Sequence, residues 1–305
     1  MGWLLRTFIV ASLAALVAHG TGAAREPVRD DATVLTGSVR SHAVQPGDTL
    51  RSLGARSGVD AAAIAADNGL PMDARLVVGR WLAVDSRHVV PEPIDAGALL
   101  VNIPQRILFH RDDDGVTAAY PATVGRPSWP TPTGAFTITV KRERPTWHVP
   151  PAIREESRTR GRPLPAVVAP GPDNPLGAFW IGTSLSGIGI HGTNEPSSIF
   201  RLASHGCIRL HPDSIATLFP RVHVGTAGRF IYQPIMLAAD EGEVYLEAHR
   251  DAYGRVAGDP RVAARALAAA AGLAARIDWR AADAVLAARH GVARRVTAGP
   301  PGAQP

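Results

Sequence analysis

A chain of 305 residues has room for two or three domains, and 46% hydrophobic with 19% charged residues excludes a disordered chain. The formal charge of +5 rests almost wholly on arginine, since Lys141 is the only lysine; no Lys/Arg-rich stretch with interleaved aromatics is present, which argues against nucleic acid as a partner. The single cysteine, Cys207, excludes a disulfide within the chain.

In chain order, the first element is an export signal. "MGWLLRTFIVASLAALVAHGTGAAREP" sets Arg6 before an apolar run from Thr7 to Ala18 and puts Gly22-Ala23-Ala24 where cleavage occurs. Residues 1–24 therefore read as a secretory signal peptide. The run is shorter than the roughly 20 residues that span a bilayer, and an uncleaved anchor is the alternative. Residues 25–41 carry mixed charge without periodicity and read as a linker.

Residues 42–85 read strand, helix, helix, strand. Pro46-Gly47-Asp48-Thr49 is a turn leading into a helix, with Asp48 or Thr49 placed to accept a first-turn amide. Asp60 caps a second helix, and Asn68-Gly69 ends it. "DSRHVVPEPID" carries prolines, so 86–96 reads as a linker. Strand signals dominate 97–235. "ALLVNI" and "RILFH" flank a turn at Pro104-Gln105, and "GAFTITV", "AFWIGTSL", "GIGIHGT" and "GRFIYQP" follow at short spacing. "HPDSIATLFPRV" is a helix within this domain. Residues 236–297 change character: "EGEVYLEAHRDAY" suggests a strand pair, and 259–290 is alanine-rich with helical spacing. That helical stretch breaks at Ile277-Asp278-Trp279, with Asp278 as a cap and Gly291 as a stop. Residues 298–305 read as a disordered tail.

An exported protein with one thiol keeps it for an intermolecular bridge or for reactivity, the bland option being a small buried hydrophobe. Ser204, His205, Gly206 and Arg209 are poor neighbours for an apolar site. A thiol needs a base, because at a free pKa of about 8.5 only a few per cent is thiolate at neutral pH. An adjacent histidine can take the proton and hold the thiolate as an ion pair. His191 ends the strand "GIGIH", sixteen residues before Cys207, and Gly192 adds a carbonyl that can orient its ring. Spacing alone leaves His191 undecided between base and ordinary strand-end residue. Gly206 lets the chain turn tightly and aim backbone amides at an oxyanion. Arg209, two residues past the thiol, falls on the same side in extended backbone and can hold a carboxylate bidentately; pairing with some other acid is the alternative.

Two resemblances follow. The unit at 42–85, through Val44, Pro46-Gly47-Asp48-Thr49-Leu50, Asn68-Gly69-Leu70, Val78-Gly79 and Leu82, resembles a LysM module, with His42 where that family often has tyrosine. The resemblance implies glycan binding near Gly47, Asp48 and Thr49, although these residues also suffice to build a turn and a cap. "IHGTNEPSSIFRLASHGCIRL" resembles the signature of L,D-transpeptidases of the YkuD type, supported by "PTPTGAFTI", "PTWHVP" and "GPDNPLGAFWI", in the Gram-negative periplasmic branch. It implies a β-sandwich-like fold, no cofactor and no metal. It carries Cys207 over as nucleophile, His191 as base and Gly192 as the orienting carbonyl. His205, Gly206 and Arg209 carry over as substrate- or oxyanion-binding residues; arginine at the last position, where other branches have asparagine, bears on substrate preference.

The expected protein is multidomain: a LysM module, a mostly-β catalytic domain and a C-terminal helical segment. Its expected place is the periplasm, and its expected partner is peptidoglycan, with an outer-membrane lipoprotein as a further acceptor. The expected reaction is transfer from a stem tetrapeptide through a cysteine thioester. Three alternatives stay open: an L,D-carboxypeptidase with the same residues, a non-catalytic LysM cell-wall-binding protein, and a zinc site of His191, His205, Cys207 and His211.

Overall fold

The computed structural model describes residues 34–299, so the signal-peptide segment 1–24 and most of the tail lie outside the described residues. The chain enters through β1 (Leu35–Thr36) and β2 (Val39–Ala43). It continues through α1 (Leu50–Ser57), α2 (Ala61–Asp67), β3 (Trp81–Asp85) and β4 (His88–Val89). Antiparallel β2 and β3 lie under the two helices, whose inward Leu50, Leu53 and Ile64 close a small core with Leu82 and Val84. Thr49 caps α1 in a reciprocal capping box with Ser52, and Asp60 caps α2 by accepting from Ala62 N at 2.9 Å.

Both expected linkers need correction. Residues 35–41 already form β1 and most of β2, and β4 falls inside 86–96. Val89 and Val90 are buried despite the prolines that follow. Two carbons on each β-carbon make these valines good strand residues, and the apolar surface they remove from water fixes the segment in place.

The central domain contains β5 (Leu99–Asn102), β6 (Ile107–Arg111), β7 (Thr117–Gly125) and β8 (Gly134–Glu143). An insertion carries the short pair β9 (Trp147–His148) and β10 (Val167–Val168) around α3 (Pro151–Thr159). Then come β11 (Phe179–Thr183), β12 (Gly189–His191), β13 (Leu202–Ser204), β14 (Ile208–Leu210), α4 (Pro212–Leu218) and β15 (Ala227–Ile231). The sheet runs β13-β7-β14-β12-β11-β8-β15-β5-β6, and β6 returns to β7. The long β7 makes this closure: Thr117–Pro121 pairs with β6, while Ala122 and Thr123 pair with β14. Leu108, Ile138, Ile181, Ile190, Ile208 and Phe230 fill the interior. Each such side chain contributes roughly 1.5–3 kcal/mol by leaving water.

The C-terminal unit pairs β16 (Ile235–Asp240) with β17 (Glu243–Ala248) and covers them with α5 (Pro260–Ala270) and α6 (Trp279–Ala288). The strand β18 (Arg294–Arg295) joins β17. Asp278 caps α6, but Gly291 does not end it; Arg289 does, in a left-handed conformation at φ 49°. Ala298, in the expected tail, donates to the Arg276 carbonyl. Val292 reaches into the core of the N-terminal module, and Arg294 pairs with Asp67 and Asp85 there. The flanking units therefore touch each other as well as the central domain.

Candidate active site

Strands β12 and β14 are parallel neighbours, with Ile190 beside Ile208 and His191 beside Arg209. Alternation then sorts the side chains. Ile190, Ile208 and Leu210 point into the core, so His191, Arg209 and Cys207 share the outer face. The register sets His191 beside Arg209, and Cys207 directly precedes β14.

The turn that presents the thiol is built by Ser204. Its Oγ accepts from Gly206 N at 3.1 Å and donates to the Cys207 carbonyl at 2.6 Å. Gly206 has φ 107°, a region that L side chains rarely adopt, which accounts for glycine directly before the nucleophile. Its carbonyl accepts from Thr131 Oγ1 at 2.8 Å. The thiol is partly buried and donates weakly to the Gly187 carbonyl at 3.4 Å. Crowding out of water pushes the thiol up, opposed by a backbone hydrogen bond at Gly189 and by the Arg209 charge.

His191 is buried, and its Nδ1 donates to the Gly192 carbonyl at 2.7 Å. In the neutral ring this leaves the lone pair on Nε2. Burial first, and the Arg209 charge second, push the imidazole down to about 3 against the backbone carbonyls of Gly192 and Leu176. Both shifts favour the uncharged thiol and the uncharged imidazole. The thiolate–imidazolium pair expected from sequence is not favoured where both groups lose water. Trp180 lies beside His191 in register and stacks on it with ring centroids 5.8 Å apart. Gly189 makes room for that indole: a β-carbon there would meet Trp180 Cη2 at 2.3 Å.

Arg209 donates to Ser198 Oγ at 2.8 Å, and its Nε has no partner among the described residues. Burial lowers its pKa. Ser198 is fixed in turn, because its carbonyl accepts from Thr123 Oγ1 at 2.5 Å. The same loop carries Phe200, held at φ 64° under the Arg106 guanidinium 4.0 Å above its ring. Ala55 of the N-terminal module packs into that cluster.

Other candidates are directed elsewhere. His205 turns away from the thiol: its Nε2 pairs with Glu156 Oε2 of α3 at 2.6 Å, and its ring meets Trp129 edge-on at 5.0 Å. Glu156 also pairs with Arg126 and Arg160; Arg126 first and His205 second hold its carboxyl at about 2. His211 caps α4 by accepting from Asp213 N at 3.3 Å. The four histidine and cysteine side chains of the zinc alternative are thus engaged separately. Among the described residues no three His, Cys, Asp or Glu side chains form a metal-binding group.

In the N-terminal module, Thr49 is the cap of α1 and Gly47 sits in the preceding turn at φ 85°. Asp48 bridges His42, at 2.7 Å, and Arg56. Burial raises its carboxyl, but the Gln45 amide, His42 and Arg56 outweigh that and hold it at about 2. Histidine at position 42 thereby has a structural partner within its own module.

Sequence reasoning gave no role to Thr131, Trp180, Ser198 and Thr123, and named Ser204 only as a polar neighbour of the thiol. Four of them had a signal: Thr131 lies in "PTPTGAFTI", Trp180 in "GPDNPLGAFWI", and Ser198 and Ser204 in "IHGTNEPSSIFRLASHGCIRL". Asn174, in the second of these segments, is buried and pins the base of the α3 insertion, donating to the Pro145 carbonyl at 2.8 Å.

A family model of the L,D-transpeptidase catalytic domain (YkuD) matches residues 96–235, and one of the LysM domain matches 42–84. The chain is 33% identical over 257 residues to "Probable L,D-transpeptidase ErfK/SrfK" of Escherichia coli (strain K12), covering 80% of each chain. It is 30% identical over 269 residues to "Probable L,D-transpeptidase YcfS" of the same strain, covering 85% of this chain and 82% of that one. With "Probable L,D-transpeptidase YbiS" it shares 34% over 176 residues, 56% of either chain.

Proposed function

The chain belongs to the YkuD family of L,D-transpeptidases and carries a LysM domain, and from that premise we propose that it acts on peptidoglycan stem tetrapeptides through a thioester on Cys207. The observation that carries this reading is the single outer face shared by the lone thiol, a histidine with its Nδ1 proton held by Gly192, and Arg209.

As the scissile carbonyl arrives, His191 Nε2 takes the thiol proton and Sγ bonds to the carbonyl carbon. The attacked bond joins diaminopimelate to the terminal D-Ala. The carbonyl oxygen takes the negative charge and collapses back as the C–N bond breaks. His191 returns the proton to the departing D-Ala amine. An incoming amine then attacks the thioester, His191 takes its proton, and the Cys207 sulfur leaves and is reprotonated. A diaminopimelate side-chain amine gives a 3-3 crosslink, a lipoprotein lysine gives a tethered protein, and water gives the L,D-carboxypeptidase outcome. Arg209 holds a stem carboxylate; its Nε has no partner among the described residues, and a guanidinium fork suits a carboxylate better than a point charge does. The LysM domain keeps the enzyme on its polymer and raises the local concentration of stems. The proposed location is the periplasm; among the described residues no helix is long and apolar enough to cross a membrane.

Two measurements test this. A carbapenem should add one drug mass to the intact wild type and none to Cys207→Ser. Incubation with disaccharide tetrapeptide should release D-Ala and yield dimers by mass spectrometry. Release of tripeptide alone would favour the carboxypeptidase, and equal adducts on both proteins would remove Cys207 as nucleophile.

A further inference from the structure

The catalytic-domain match ends at residue 235, yet one side chain well beyond it reaches back to the thiol turn. Tyr253 lies in the segment between β17 and α5. Its hydroxyl donates to the Gly125 carbonyl at 2.7 Å and accepts from Thr131 N at 3.1 Å. Thr131 is wholly buried; its own hydroxyl accepts from Gly125 N at 2.9 Å and donates to the Gly206 carbonyl at 2.8 Å. Tyrosine, threonine and the two backbone stretches form one connected set of bonds.

The Gly206 carbonyl belongs to the same planar peptide as the Cys207 N–H. Holding the oxygen of a peptide fixes the direction of its hydrogen. That hydrogen is next to the sulfur, where a backbone donor for a developing oxyanion is needed. Tyr253 is itself anchored: its N–H donates to Tyr232 Oη at 2.7 Å, Tyr232 bonds Asp251, and Asp251 accepts from Val256 N at 2.8 Å. Arg255 covers both tyrosine rings, 5.2 and 5.0 Å from their centres.

We propose that Tyr253 is a positioning residue of the active site, aiming the Gly206–Cys207 peptide through Thr131, so that the C-terminal unit completes a catalytic centre it does not touch. This rests on the reading of Cys207 as nucleophile. It assigns a role to the C-terminal segment that neither the strand pattern nor the domain match supplies.

The test uses the full chain and separates two reactions of the same thiol. Acylation by a carbapenem passes through an oxyanion; alkylation by iodoacetamide does not. Tyr253→Phe, which keeps the ring and loses the hydroxyl, should slow acylation about tenfold and leave alkylation within about twofold. Thr131→Val should match it, Thr131→Ser should react like the wild type, and the double variant Tyr253→Phe/Thr131→Val should be no slower than Thr131→Val alone. A parallel fall in both reactions, or unchanged acylation, would overturn the proposal, since a merely structural tyrosine would lower Tm without separating the two rates. A second readout does not depend on reactivity: the amide ¹H and ¹⁵N shifts of Gly206 and Cys207 should move in Tyr253→Phe. If the wild type itself failed to acylate, the assignment of Cys207 would fall, while those shifts would still decide whether Tyr253 sets the peptide. Unmoved shifts would refute the proposal.

Discussion

Two buried polar clusters in this protein are built to opposite rules. Around Glu247, where β4, the β5–β6 turn and β17 meet, one carboxylate accepts from four donors. These are His88 Nδ1 at 2.9 Å, Val89 N at 2.6 Å, Gln105 Nε2 at 3.0 Å and His249 Nε2 at 2.7 Å. Burial raises the carboxyl, but His88 and His249 outweigh it and hold Glu247 at about 2. Around Cys207 no single group collects the bonds: the thiol itself has only a 3.4 Å contact, and Arg209 Nε has no partner among the described residues. The first cluster gathers three segments on one carboxylate, although His88 Nε2 has no partner among the described residues. The second leaves the partly buried thiol with one weak contact. Unmet hydrogen bonds in a buried site cost stability and are retained where something else completes them.

The largest expected effect is a crossover between the clusters. His191→Ala should slow carbapenem acylation by about 10²–10⁴-fold, the range for a positioned acid–base group, with a small change in Tm. Glu247→Gln should do the reverse. Removing one member of a buried ionic cluster costs about 3–5 kcal/mol, a fall in Tm of the order of 10 °C, with the acylation rate of the folded protein kept. The sign of the pH effect follows from the lowered carboxyl. Stability from Glu247 is present above the unfolded carboxylate value of about 4.3 and is lost as pH falls from there toward 2. Glu247→Gln should lack that acid-induced loss. Calorimetry against acylation rate checks both halves; if the two variants fail in the same way, the division between the two clusters is wrong.

A smaller effect should come from Arg209→Lys, which keeps the charge and loses the planar fork. Charge-assisted bonds to a shielded carboxylate contribute about 1.5–3 kcal/mol each, so turnover of tetrapeptide should fall about tenfold or more. Iodoacetamide labelling of Cys207 should stay near the wild-type rate. Normal turnover would show that the fork is not needed; a parallel fall in labelling would make Arg209 a support for the thiol instead.

Features set by neighbours in sequence were legible. Thr49, Asp60 and Asp278 cap the helices expected of them because a cap needs only the next two or three amides. The β5–β6 hairpin and β8 followed from alternation and β-branched content. Cys207, His191 and Gly192 were proposed from a spaced motif, and the register of β12 and β14 sets His191 beside Arg209, two residues past the thiol. What depended on distant partners was not legible. β7 has alanines and Pro121 where a strand signal would need β-branched residues, yet it closes the whole sheet. α3 buries none of its residues, so it has no apolar stripe to read. His205 meets a glutamate 49 positions away, and Glu247 meets His88 across 159. The prolines of 86–96 outweighed two buried valines in the sequence reading, and tertiary burial decided the reverse.

The subtlest expected effect concerns the resting protonation of the Cys207 cluster. Had the histidine been charged at rest, the thiolate would be held as an ion pair, and alkylation would already be independent of pH near neutrality. The surroundings push both groups the other way: burial moves the thiol up, and burial with the Arg209 charge moves His191 down to about 3. Both directions favour an uncharged imidazole and a protonated Cys207 at pH 7. Iodoacetamide labelling should rise about tenfold for each pH unit from 6 upward and continue past the usual thiol value of about 8.5. His191→Ala should leave the shape of that profile unchanged, because an uncharged ring contributes no ion pair. Arg209→Gln should shift the profile further up, since it removes a cation that favours the thiolate. A plateau at neutral pH that vanished in His191→Ala would instead establish the ion pair. The Cys207 cluster would then store its charge before substrate arrives, rather than moving the proton only when the carbonyl is in place.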